Sequence, residues 1–400
     1  MNQFNVRTVV LNNVKEAEAF MENYIHCDAK GTVMMGRKLG KMAIVAENLR
    51  PPACSILKQT MLSLGGEAAV HRNVLVQKVE HSSVLLMGTL AQMKRLVKKI
   101  KPQDFGLAIL SDELNEVLEA PKPRSKRVMP YRGGELEFGK KTLIMGILNC
   151  TPDSFSDGGQ WFDTQKAIDH ALEMEENGAD IIDIGGESTR PGSAEVTAEE
   201  EMKRVLPVIE GLQGKLSIPI SIDSYKAVTA EKALEAGAHI INDVWGFQRD
   251  KEMADVAAKF QCPSIVMHNK VEAVYNDLMS ELMAFLRKSI DLGVSAGLPK
   301  SQIIVDPGFG FGFGKTMEHN LTLTAKLREL SATGCPILMG ASRKTTLGLI
   351  LDAPPDQRLE GDSAITAMSI LNGADMVRVH DVREMANVAK VADAVAAAGY

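Results

Sequence analysis

Short apolar runs recur from residue 138 to the end of the chain, and longer segments with helical periodicity alternate with them. The eight apolar runs are residues 143–148, 181–184, 218–222, 239–244, 264–267, 303–305, 337–339 and 376–379. Because they are mostly apolar and show no strict alternation of apolar and polar residues, they are typical of parallel strands that are covered on both faces. Eight strand–helix repeats in roughly 260 residues predict a (β/α)8 TIM barrel. A doubly wound open sheet is the alternative, but no GxGxxG segment follows the first strand.

The first 120 residues have a different pattern, in which strand-like and helix-like segments are mixed. The predicted strands are residues 7–11, one or two strands within 32–45, 68–70 and 84–87, and the predicted helices are 14–24, 52–64, 93–100 and 112–118. We therefore predict a small α+β accessory domain over residues 1–120. Residues 121–137 are rich in prolines and cations and are interpreted as an exposed linker, so the barrel domain spans residues 138–400.

Composition narrows the class of protein. Hydrophobic residues make up 45% and charged residues 24% of the chain, which is typical of globular proteins. The net charge of −6 argues against bulk nucleic-acid binding. The five cysteines are scattered without a CxxC pair, as in reducing compartments, and no signal peptide or bilayer-length apolar run is visible. We expect a cytoplasmic protein that binds neither nucleic acid nor a membrane.

Polar side chains follow or close every predicted strand. In a TIM barrel, the carboxyl ends of the strands form one rim, and active sites lie there. The rim residues are Asn149, Asp183, Asp223, Asn242, His268, Asp306, Ser342, Lys344, Arg378 and His380. A single residue of this kind is readily explained as a helix cap. Polar groups at all eight strand ends indicate a binding site.

The rim contains two kinds of group. The acceptor-rich group consists of Asp183, Asp223, Asn242 and Asp306. An aspartate accepts two parallel hydrogen bonds from the N–H edge of a nitrogen heterocycle such as an aminopyrimidinone. The cationic group consists of Arg190, Lys344, Arg378 and His380, which suit a phosphate or pyrophosphate. A ligand that joins a nitrogen heterocycle to a phosphate group would satisfy both.

Two glycine-rich segments border this rim. Residues 183–192 (DIGGESTRPG) join a carboxylate, two adjacent glycines and an arginine, and Thr197 is predicted to cap the following helix with Glu200. Residues 306–315 (DPGFGFGFGK) allow close approach of the backbone to a ligand, and Phe309, Phe311 and Phe313 are candidates for an aromatic wall. The alternative for the second segment is a loop whose phenylalanines pack under the next helix.

The sequence shows no ligand set for a transition metal. The eight histidines are dispersed, and only His268 and His380 stand at strand ends. Mg²⁺ bound mainly by pyrophosphate oxygens, with Asn149 as a protein ligand, is compatible with the residues present.

Seven ordered segments resemble the signature blocks of the dihydropteroate synthase family. They are residues 149–159 (NCTPDSFSDGG), 183–192 (DIGGESTRPG), 222–226 (IDSYK), 242–243 (ND), 306–312 (DPGFGFG), 340–344 (GASRK) and 378–382 (RVHDV). The resemblance covers the chain from about residue 138 onward. It implies a TIM-barrel enzyme of folate biosynthesis that joins 6-hydroxymethyl-7,8-dihydropterin pyrophosphate to para-aminobenzoate and releases pyrophosphate. It also implies a homodimer.

The resemblance implies a role for each matched residue. The pterin would be held by Asp223, Asn242, Asp306 and Lys344, with Asp183 lining its pocket near the reacting carbon. Pyrophosphate and Mg²⁺ would be held by Asn149, Arg190, Arg378 and His380. The aminobenzoate would be bordered by Thr189, Arg190, Pro191, Phe311 and Ser342. Catalysis would rest on Asp183, Lys344, Arg378 and Asn149, and the reaction would be a dissociative displacement at the pterin methylene. Residues 150–159 and 187–195 would form two loops that close over the site.

Some residues depart from the family pattern, and other functions share parts of it. Cys150, Ser193 and Ala194 differ from the usual forms of the two loops. A pterin-dependent methyltransferase would share the acidic pocket but would not use the cations Arg190, Arg378 and His380. A Schiff-base aldolase would use Lys344 as its nucleophile, and a non-catalytic metabolite-binding protein is a third alternative.

The first 120 residues are expected to act as a stabilising or oligomer-related module.

Overall fold

A computed structural model describes residues 14–150, 159–187 and 195–398 of the chain. These residues divide into two units, a larger one over Pro121–Ala396 and a smaller one that consists of the residues up to Ala120 and those from Ala397 onward. The predicted strand at residues 7–11 lies outside the described residues, as do Thr189, Arg190 and Pro191. No helix in the described part of the chain is long and apolar enough to cross a bilayer.

The smaller unit is an α+β fold, as predicted. Its elements are α1 (Val14–Asn23), α2 (Ala29–Leu39), β1 (Lys41–Leu49), α3 (Pro51–Ser63), β2 (Glu67–Val70), β3 (Ser82–Thr89), α4 (Leu90–Ile100) and α5 (Leu107–Glu119). The strands form an antiparallel sheet in the order β1–β3–β2. Leu57 and Met61 of α3 and Leu96 of α4 pack with Val84 and Leu86 of β3 in the core of this unit.

One prediction in this unit is wrong. Residues 32–39, which we predicted as strand, belong to helix α2, and the strand begins only at Lys41. The carboxylate of Asp28 accepts a hydrogen bond from the backbone N–H of Gly31 at 2.9 Å and so caps the helix. The β-branched Thr32 and Val33 favour a strand by local propensity, but the cap decides the start of a helix here.

The larger unit is the TIM barrel, preceded by a hairpin. Its strands are β4 (Arg127–Tyr131), β5 (Gly134–Phe138), β6 (Leu143–Asn149), β7 (Ile181–Gly185), β8 (Ile220–Asp223), β9 (Ile240–Asp243), β10 (Ser264–Met267), β11 (Ile303–Asp306), β12 (Leu338–Met339) and β13 (Met376–Val379). Its helices are α6 (Gly159–Glu176), α7 (Ala198–Leu212), α8 (Ala227–Ala236), α9 (Met253–Phe260), α10 (Leu278–Ala296), α11 (Met317–Ala325), α12 (Thr345–Leu351), α13 (Leu359–Leu371) and α14 (Val382–Ala397).

Eight parallel strands form one continuous sheet in the order β11–β10–β9–β8–β7–β6–β13–β12. A parallel bridge between Val305 of β11 and Ile337, just before β12, joins the two ends of this sheet. The barrel is therefore closed, and the eight-strand prediction is confirmed. The predicted cap at Thr197 is also confirmed, because its side chain accepts a hydrogen bond from the Glu200 N–H at 3.2 Å.

The predicted linker over residues 121–137 is wrong, because most of it folds as part of the barrel unit. Strands β4 and β5 pair as an antiparallel hairpin over Arg127–Tyr131 and Gly134–Phe138. Two of its arginines bind barrel elements: Arg124 pairs with Asp393 at 2.6 Å, and Arg132 donates to the Leu234 carbonyl at 2.9 Å. We interpreted this proline- and cation-rich segment as a linker because the partners of its arginines are distant in sequence and were not visible from it.

The hairpin covers the amino-terminal end of the barrel. Met129, Leu136 and Phe138 are buried in one cluster with side chains that start the barrel strands. The strand residues in this cluster are Leu143, Met145, Ile181, Ile240, Ile265, Ile304, Leu338 and Met376. An apolar plug at this end leaves the carboxyl end of the strands for polar side chains.

We expect removal of the Phe138 ring to destabilise the barrel unit. Phe138 is fully buried in the plug, and a Phe→Ala change at such a site costs about 3–5 kcal/mol through lost burial and the cavity left behind. Urea unfolding followed by tryptophan fluorescence measures this, since Trp161 and Trp245 are the two tryptophans of the chain and both belong to the barrel unit. Val128→Ala, on the exposed face of the hairpin, is the control. Equal losses in both variants would contradict the plug.

Candidate active site at the carboxyl end of the barrel

The parallel register of the strands places the predicted rim residues side by side. Asp223, the last residue of β8, is paired in register with Gly185 of β7 and with Asn242 of β9. Asn149, the last residue of β6, is also paired with Gly185. Because each strand contributes its polar residue near the same end, side chains from distant parts of the sequence meet above the apolar plug.

Arg378 joins two carboxylates at the centre of this rim. Its Nε donates to Asp183 Oδ2 at 2.6 Å, and one of its terminal nitrogens donates to Asp223 Oδ2 at 2.6 Å. The side-chain amide of Asn242 donates to the same Asp183 oxygen at 3.0 Å. The other oxygen, Asp183 Oδ1, is buried and has no hydrogen-bond partner among the described residues. A buried acceptor left in this state suits a ligand N–H.

Burial sets the electrostatics of the rim. Burial alone disfavours the Arg378 cation, but Asp183 and Asp223 outweigh it and raise the pKa of Arg378 above its usual value. Burial raises the pKa of Asp223 to about 7, although the Arg378 charge acts in the opposite direction. Burial lowers the pKa of Lys344 to about 8, and the neighbouring Arg378 cation acts in the same direction. The site therefore holds groups that change charge close to neutral pH.

A small cavity lies between these side chains. Its lining residues are Asp223, Asn242, Val244, Met267, Asp306, Phe309, Gly340, Lys344 and Arg378. Polar groups occupy one part of the wall, while Val244, Met267 and Phe309 give it an apolar face. Such a mixed, concave site suits a flat heterocycle that carries N–H and C=O groups on its edge.

Asp306 is held by the turn that follows β11. Its Oδ1 accepts the backbone N–H of Gly308 at 2.7 Å, and burial raises its pKa. Gly308 has a φ of +71°, and a Cβ at this position would come within 2.0 Å of the His268 carbonyl oxygen. Only glycine fits this turn, so the glycine fixes the orientation of the carboxylate.

The phenylalanines of this segment differ in their placement. Of the three candidates for the aromatic wall, Phe309 lines the cavity and is fully buried. Phe311 begins a short 3-10 helix, Phe311–Phe313, is partly exposed and is absent from the cavity lining. The alternation of glycine and phenylalanine did not reveal which ring points inward.

Ser342 and His380 form a second group beside the cavity. Ser342 Oγ is 3.1 Å from His380 Nδ1 and 3.1 Å from a carboxylate oxygen of Asp362 in α13. Burial lowers the pKa of His380 to about 3, and the cations of Arg378 and Arg343 act in the same direction. His380 is therefore neutral at pH 7 in the protein without ligand.

Two buried ionic groups near the rim were missed by the sequence analysis. Glu201 Oε2 accepts hydrogen bonds from Ser224 at 3.1 Å, Thr229 at 3.0 Å and Lys226 at 3.0 Å, and Lys226 also pairs with Glu187. These contacts hold the end of β8 and the side chain of Glu187 in place. Glu201 lies inside a helix, where the sequence carries no signal that it points inward.

The second missed group lies behind Asp306. Lys315 Nζ is 2.9 Å from His268 Nδ1, and both side chains are buried. Burial lowers the pKa of Lys315 to about 7 and that of His268 to about 2. The available signal was Lys315 itself, a single cation that closes a run of glycines and phenylalanines.

Comparison with known proteins identifies the family. The family model of pterin binding enzymes matches residues 145–380, which is more than half of the chain. A dihydropteroate synthase of Bacillus subtilis (strain 168) is 49% identical over 269 residues, which cover 67% of this chain and 94% of that protein. The chain belongs to the dihydropteroate synthase family. It is a transferase of that family, and the assignment made from the sequence resemblance is confirmed.

A solved dihydropteroate synthase and a larger relative extend this result. The Clostridium difficile enzyme, solved in the presence of pteroic acid, is 49% identical, with a TM-score of 0.64 and coverage of 65% of this chain and 98% of that chain. A probable bifunctional folylpolyglutamate synthase/dihydropteroate synthase of Halobacterium salinarum is 40% identical over 365 residues, which cover 90% of this chain and 43% of that protein. Residues 121–396 alone do not make up 90% of the chain, so that match includes part of the smaller unit.

Loss of the Arg378 cation is expected to make the stability of the barrel fall more steeply as pH rises. In Arg378→Met, Asp223 loses the cation that opposes the effect of burial, so its folded-state pKa, already raised, rises further above the unfolded-state value. Stability is lost as pH rises through a raised folded-state pKa, so the variant should lose about 3–5 kcal/mol at pH 8 and less at pH 6.

Urea unfolding at the two pH values measures this difference. Arg383→Met, which removes an exposed cation of α14, is the matched control and should show little change at either pH. An Arg378→Met loss that is the same at pH 6 and pH 8 would show that the two carboxylates do not depend on this cation.

Proposed function

We propose that this chain condenses 6-hydroxymethyl-7,8-dihydropterin pyrophosphate with para-aminobenzoate to give 7,8-dihydropteroate and pyrophosphate. The observation that carries the proposal is one cavity that Asp223 and Asp306 line together with Arg378 and Lys344. The buried Asp183 lies next to it, bound to Arg378. A nitrogen heterocycle and an anionic leaving group need opposite kinds of partner, and this cavity offers both. The family membership supports the same reaction.

The pterin would lie in the cavity with its N–H edge against the acceptors. Asp306, Asn242 and Asp223 line the cavity and offer the oxygens that an aminopyrimidinone edge requires. The unpartnered Asp183 Oδ1 would accept a further N–H of the dihydropterin ring, near the reacting carbon. Lys344 would donate to a ring acceptor, since an ammonium group has donors only.

The chemical step would be a dissociative displacement at the pterin methylene. As the C–O bond to pyrophosphate lengthens, positive charge develops on the methylene carbon and spreads into the ring, where the carboxylates of Asp183 and Asp223 stabilise it. The departing pyrophosphate gains negative charge and is stabilised by Arg378 and His380. The arylamine of para-aminobenzoate is neutral at pH 7, so its lone pair attacks without a general base. The nitrogen of the adduct is then positively charged and releases one proton to solvent to give the neutral product.

Mg²⁺ fits the donors that this chain provides. In the described ranges, no cluster of three or more histidine, cysteine or acidic side chains is arranged as a metal cage. Asn149, at the end of β6, offers one neutral oxygen ligand, and a cation bound mainly through pyrophosphate oxygens needs no more. When bound, Mg²⁺ would neutralise charge on the leaving group.

The aminobenzoate would lie at the outer side of the pterin. The residues that we propose to border it are Thr189, Arg190, Pro191, Phe311 and Ser342. Of these, Ser342 is three positions after the short β12, and its hydroxyl is 3.1 Å from His380 Nδ1, which supports a role near the pyrophosphate that His380 would bind. Arg190 would pair with the carboxylate of the aminobenzoate or with the leaving group.

Pyrophosphate release in the presence of both substrates and Mg²⁺ tests the proposal. We expect Lys344→Ala and Arg378→Ala to lower kcat/KM by on the order of 10²-fold or more, because each removes a donor aimed at developing charge. Lys232→Ala, an exposed lysine of α8, is the control for loss of a cation and should keep the wild-type rate. An inactive wild-type protein, or full activity in both site variants, would refute the proposed reaction. Borohydride trapping of a substrate on Lys344 would favour the aldolase.

Removal of Mg²⁺ should abolish the reaction. Chelation with EDTA is expected to stop pyrophosphate release, and added Mg²⁺ should restore it. Asn149→Ala should raise the Mg²⁺ concentration needed for half of the maximal rate, while Asn387→Ala, an exposed asparagine of α14, should not. An unchanged Mg²⁺ requirement in Asn149→Ala would remove this residue from the metal site.

We further propose that the protein is a cytoplasmic homodimer. The five cysteines are all free thiols, as expected in a reducing compartment. Leu349, Ile350 and Leu351 of α12 and Met368 of α13 are exposed, which supports burial of this face against a second copy. The smaller unit would act as a stabilising or oligomer-related module, and an equally active and stable dimer after deletion of residues 1–120 would count against that role.

Charge on the α12–α13 face is expected to break the dimer. The double variant Ile350→Asp/Met368→Asp places two carboxylates in the proposed interface, so sedimentation velocity should show a monomer. Val391→Asp, at an equally exposed apolar position on α14, should remain a dimer. A dimeric double variant would locate the interface elsewhere.

A further inference from the structure

Three side chains from different elements form a chain of hydrogen bonds beside the cavity. Asp362 lies in α13, Ser342 follows β12, and His380 follows β13. Ser342 Oγ is 3.1 Å from Asp362 Oδ2 and 3.1 Å from His380 Nδ1. The backbone N–H of His380 donates to the same Ser342 oxygen at 3.2 Å. Asp362 is buried, and Ser342 connects it to His380.

Counting protons along this chain fixes the direction of each bond. A serine hydroxyl has one proton to donate and two lone pairs to accept with. If Asp362 is ionised, Oδ2 accepts the only proton of Ser342. The oxygen of Ser342 then accepts from the backbone N–H of His380, and its remaining lone pair faces the imidazole. Nδ1 must therefore carry a proton and donate it to Ser342.

Two hydrogen bonds stabilise the ionised form of Asp362. Its other oxygen, Oδ1, accepts the backbone N–H of Arg343 at 2.8 Å, and Oδ2 faces the Ser342 hydroxyl. Burial raises the pKa of Asp362 above its usual value, and the charge of Asp381 acts in the same direction, while these hydrogen bonds and the Arg343 charge oppose that rise. A carboxylate that accepts two hydrogen bonds is stabilised in its charged form.

The charged groups around His380 keep the imidazole neutral, so one of its two nitrogens carries a proton and the other a lone pair. Arg378 precedes it on β13, Asp381 follows it, and Arg343 and Lys344 face it from the turn after β12. Asp381 is paired with Arg343 at 3.1 Å, so its carboxylate is directed at that guanidinium. Cations therefore predominate near the ring, and a second proton on it is disfavoured.

We propose that Asp362 is a positioning residue, which acts through Ser342 to hold His380 in the Nδ1–H tautomer and leaves Nε2 as the nitrogen that contacts a ligand. The hydrogen-bond chain stands on the geometry of the protein alone. Its meaning for catalysis rests on the proposed function, in which His380 holds pyrophosphate. In that setting, Nε2 carries a lone pair in the free protein and has to take up one proton from solvent before it can donate to a phosphate oxygen.

The tautomer is measured directly by nitrogen-15 NMR of the histidine side chains in the free, full-length protein at neutral pH. The His380 signals are assigned by their loss in His380→Gln. We expect a protonated Nδ1 and an unprotonated, pyridine-like Nε2 for His380 in the wild type. An Nε2–H tautomer in the wild type would mean that Ser342 donates to His380 Nδ1 instead of accepting from it, and this result would overturn the proposal.

The variant Asp362→Asn provides the sharpest test. The amide oxygen of asparagine would accept the Arg343 N–H, because the opposite rotamer brings two donors together. Its NH₂ group then donates to Ser342 Oγ, and the Ser342 proton turns to His380 Nδ1. We therefore expect His380 to change to the Nε2–H tautomer. Ser342→Ala removes the connection and should leave a mixture of the two tautomers.

Asp381→Asn is the matched control, because it removes one carboxylate next to His380 that is outside the hydrogen-bond chain. It should leave the tautomer as in the wild type, whereas a merely electrostatic role of Asp362 would give the same result in both Asp→Asn variants. If Asp362→Asn does not fold, the wild-type and Ser342→Ala spectra still decide. None of these measurements involves a substrate, so a failure of the proposed reaction would leave them unchanged.

Discussion

Arg378 lies above the apolar interior of the barrel with its guanidinium divided between Asp183 and Asp223. Each partner alone would be unfavourable at this depth, because a buried charge without a counter-ion costs several kcal/mol. Together their opposite charges stabilise one another beside a cavity that Asp306 and Lys344 also line. The other groups of the site lie around these three side chains. A bound heterocycle with an anionic leaving group would replace the contacts between Arg378 and the two carboxylates with contacts to the ligand.

The barrel can hold these charged side chains because its two ends contain different kinds of residue. At the amino-terminal end, the β4–β5 hairpin and the first residues of the strands form a closed apolar plug. At the other end, the same strands finish in polar side chains that are supported from behind by buried groups in helices and turns. Glu201 fixes Ser224 and Thr229, Lys315 lies against His268, and Asp362 engages Ser342. These supporting residues hold the polar side chains in place although most of them are absent from the cavity lining.

The sequence predicted much of the barrel because short, uninterrupted apolar runs that alternate with helical segments are typical of buried parallel strands. It predicted which residues stand on the rim, but it did not predict that Arg378 pairs with Asp183 and Asp223, since that depends on how side chains turn inward from separate strands. The hairpin was mistaken for a linker because the partners of Arg124 and Arg132 lie more than 100 positions away. Helix α2 was mistaken for a strand because one capping contact at Asp28 outweighed the local propensity of Thr32 and Val33.

A crystal structure of the protein with 6-hydroxymethyl-7,8-dihydropterin pyrophosphate and Mg²⁺ tests the central claim most directly. We expect the pterin ring in the cavity, with its N–H groups within hydrogen-bond distance of Asp306, Asn242 and the Oδ1 atom of Asp183. We also expect the pyrophosphate beside His380 Nε2 and Asn149. A pterin bound outside this cavity, with Arg378 still shared between Asp183 and Asp223 and no contact to Asp306, would contradict the central claim.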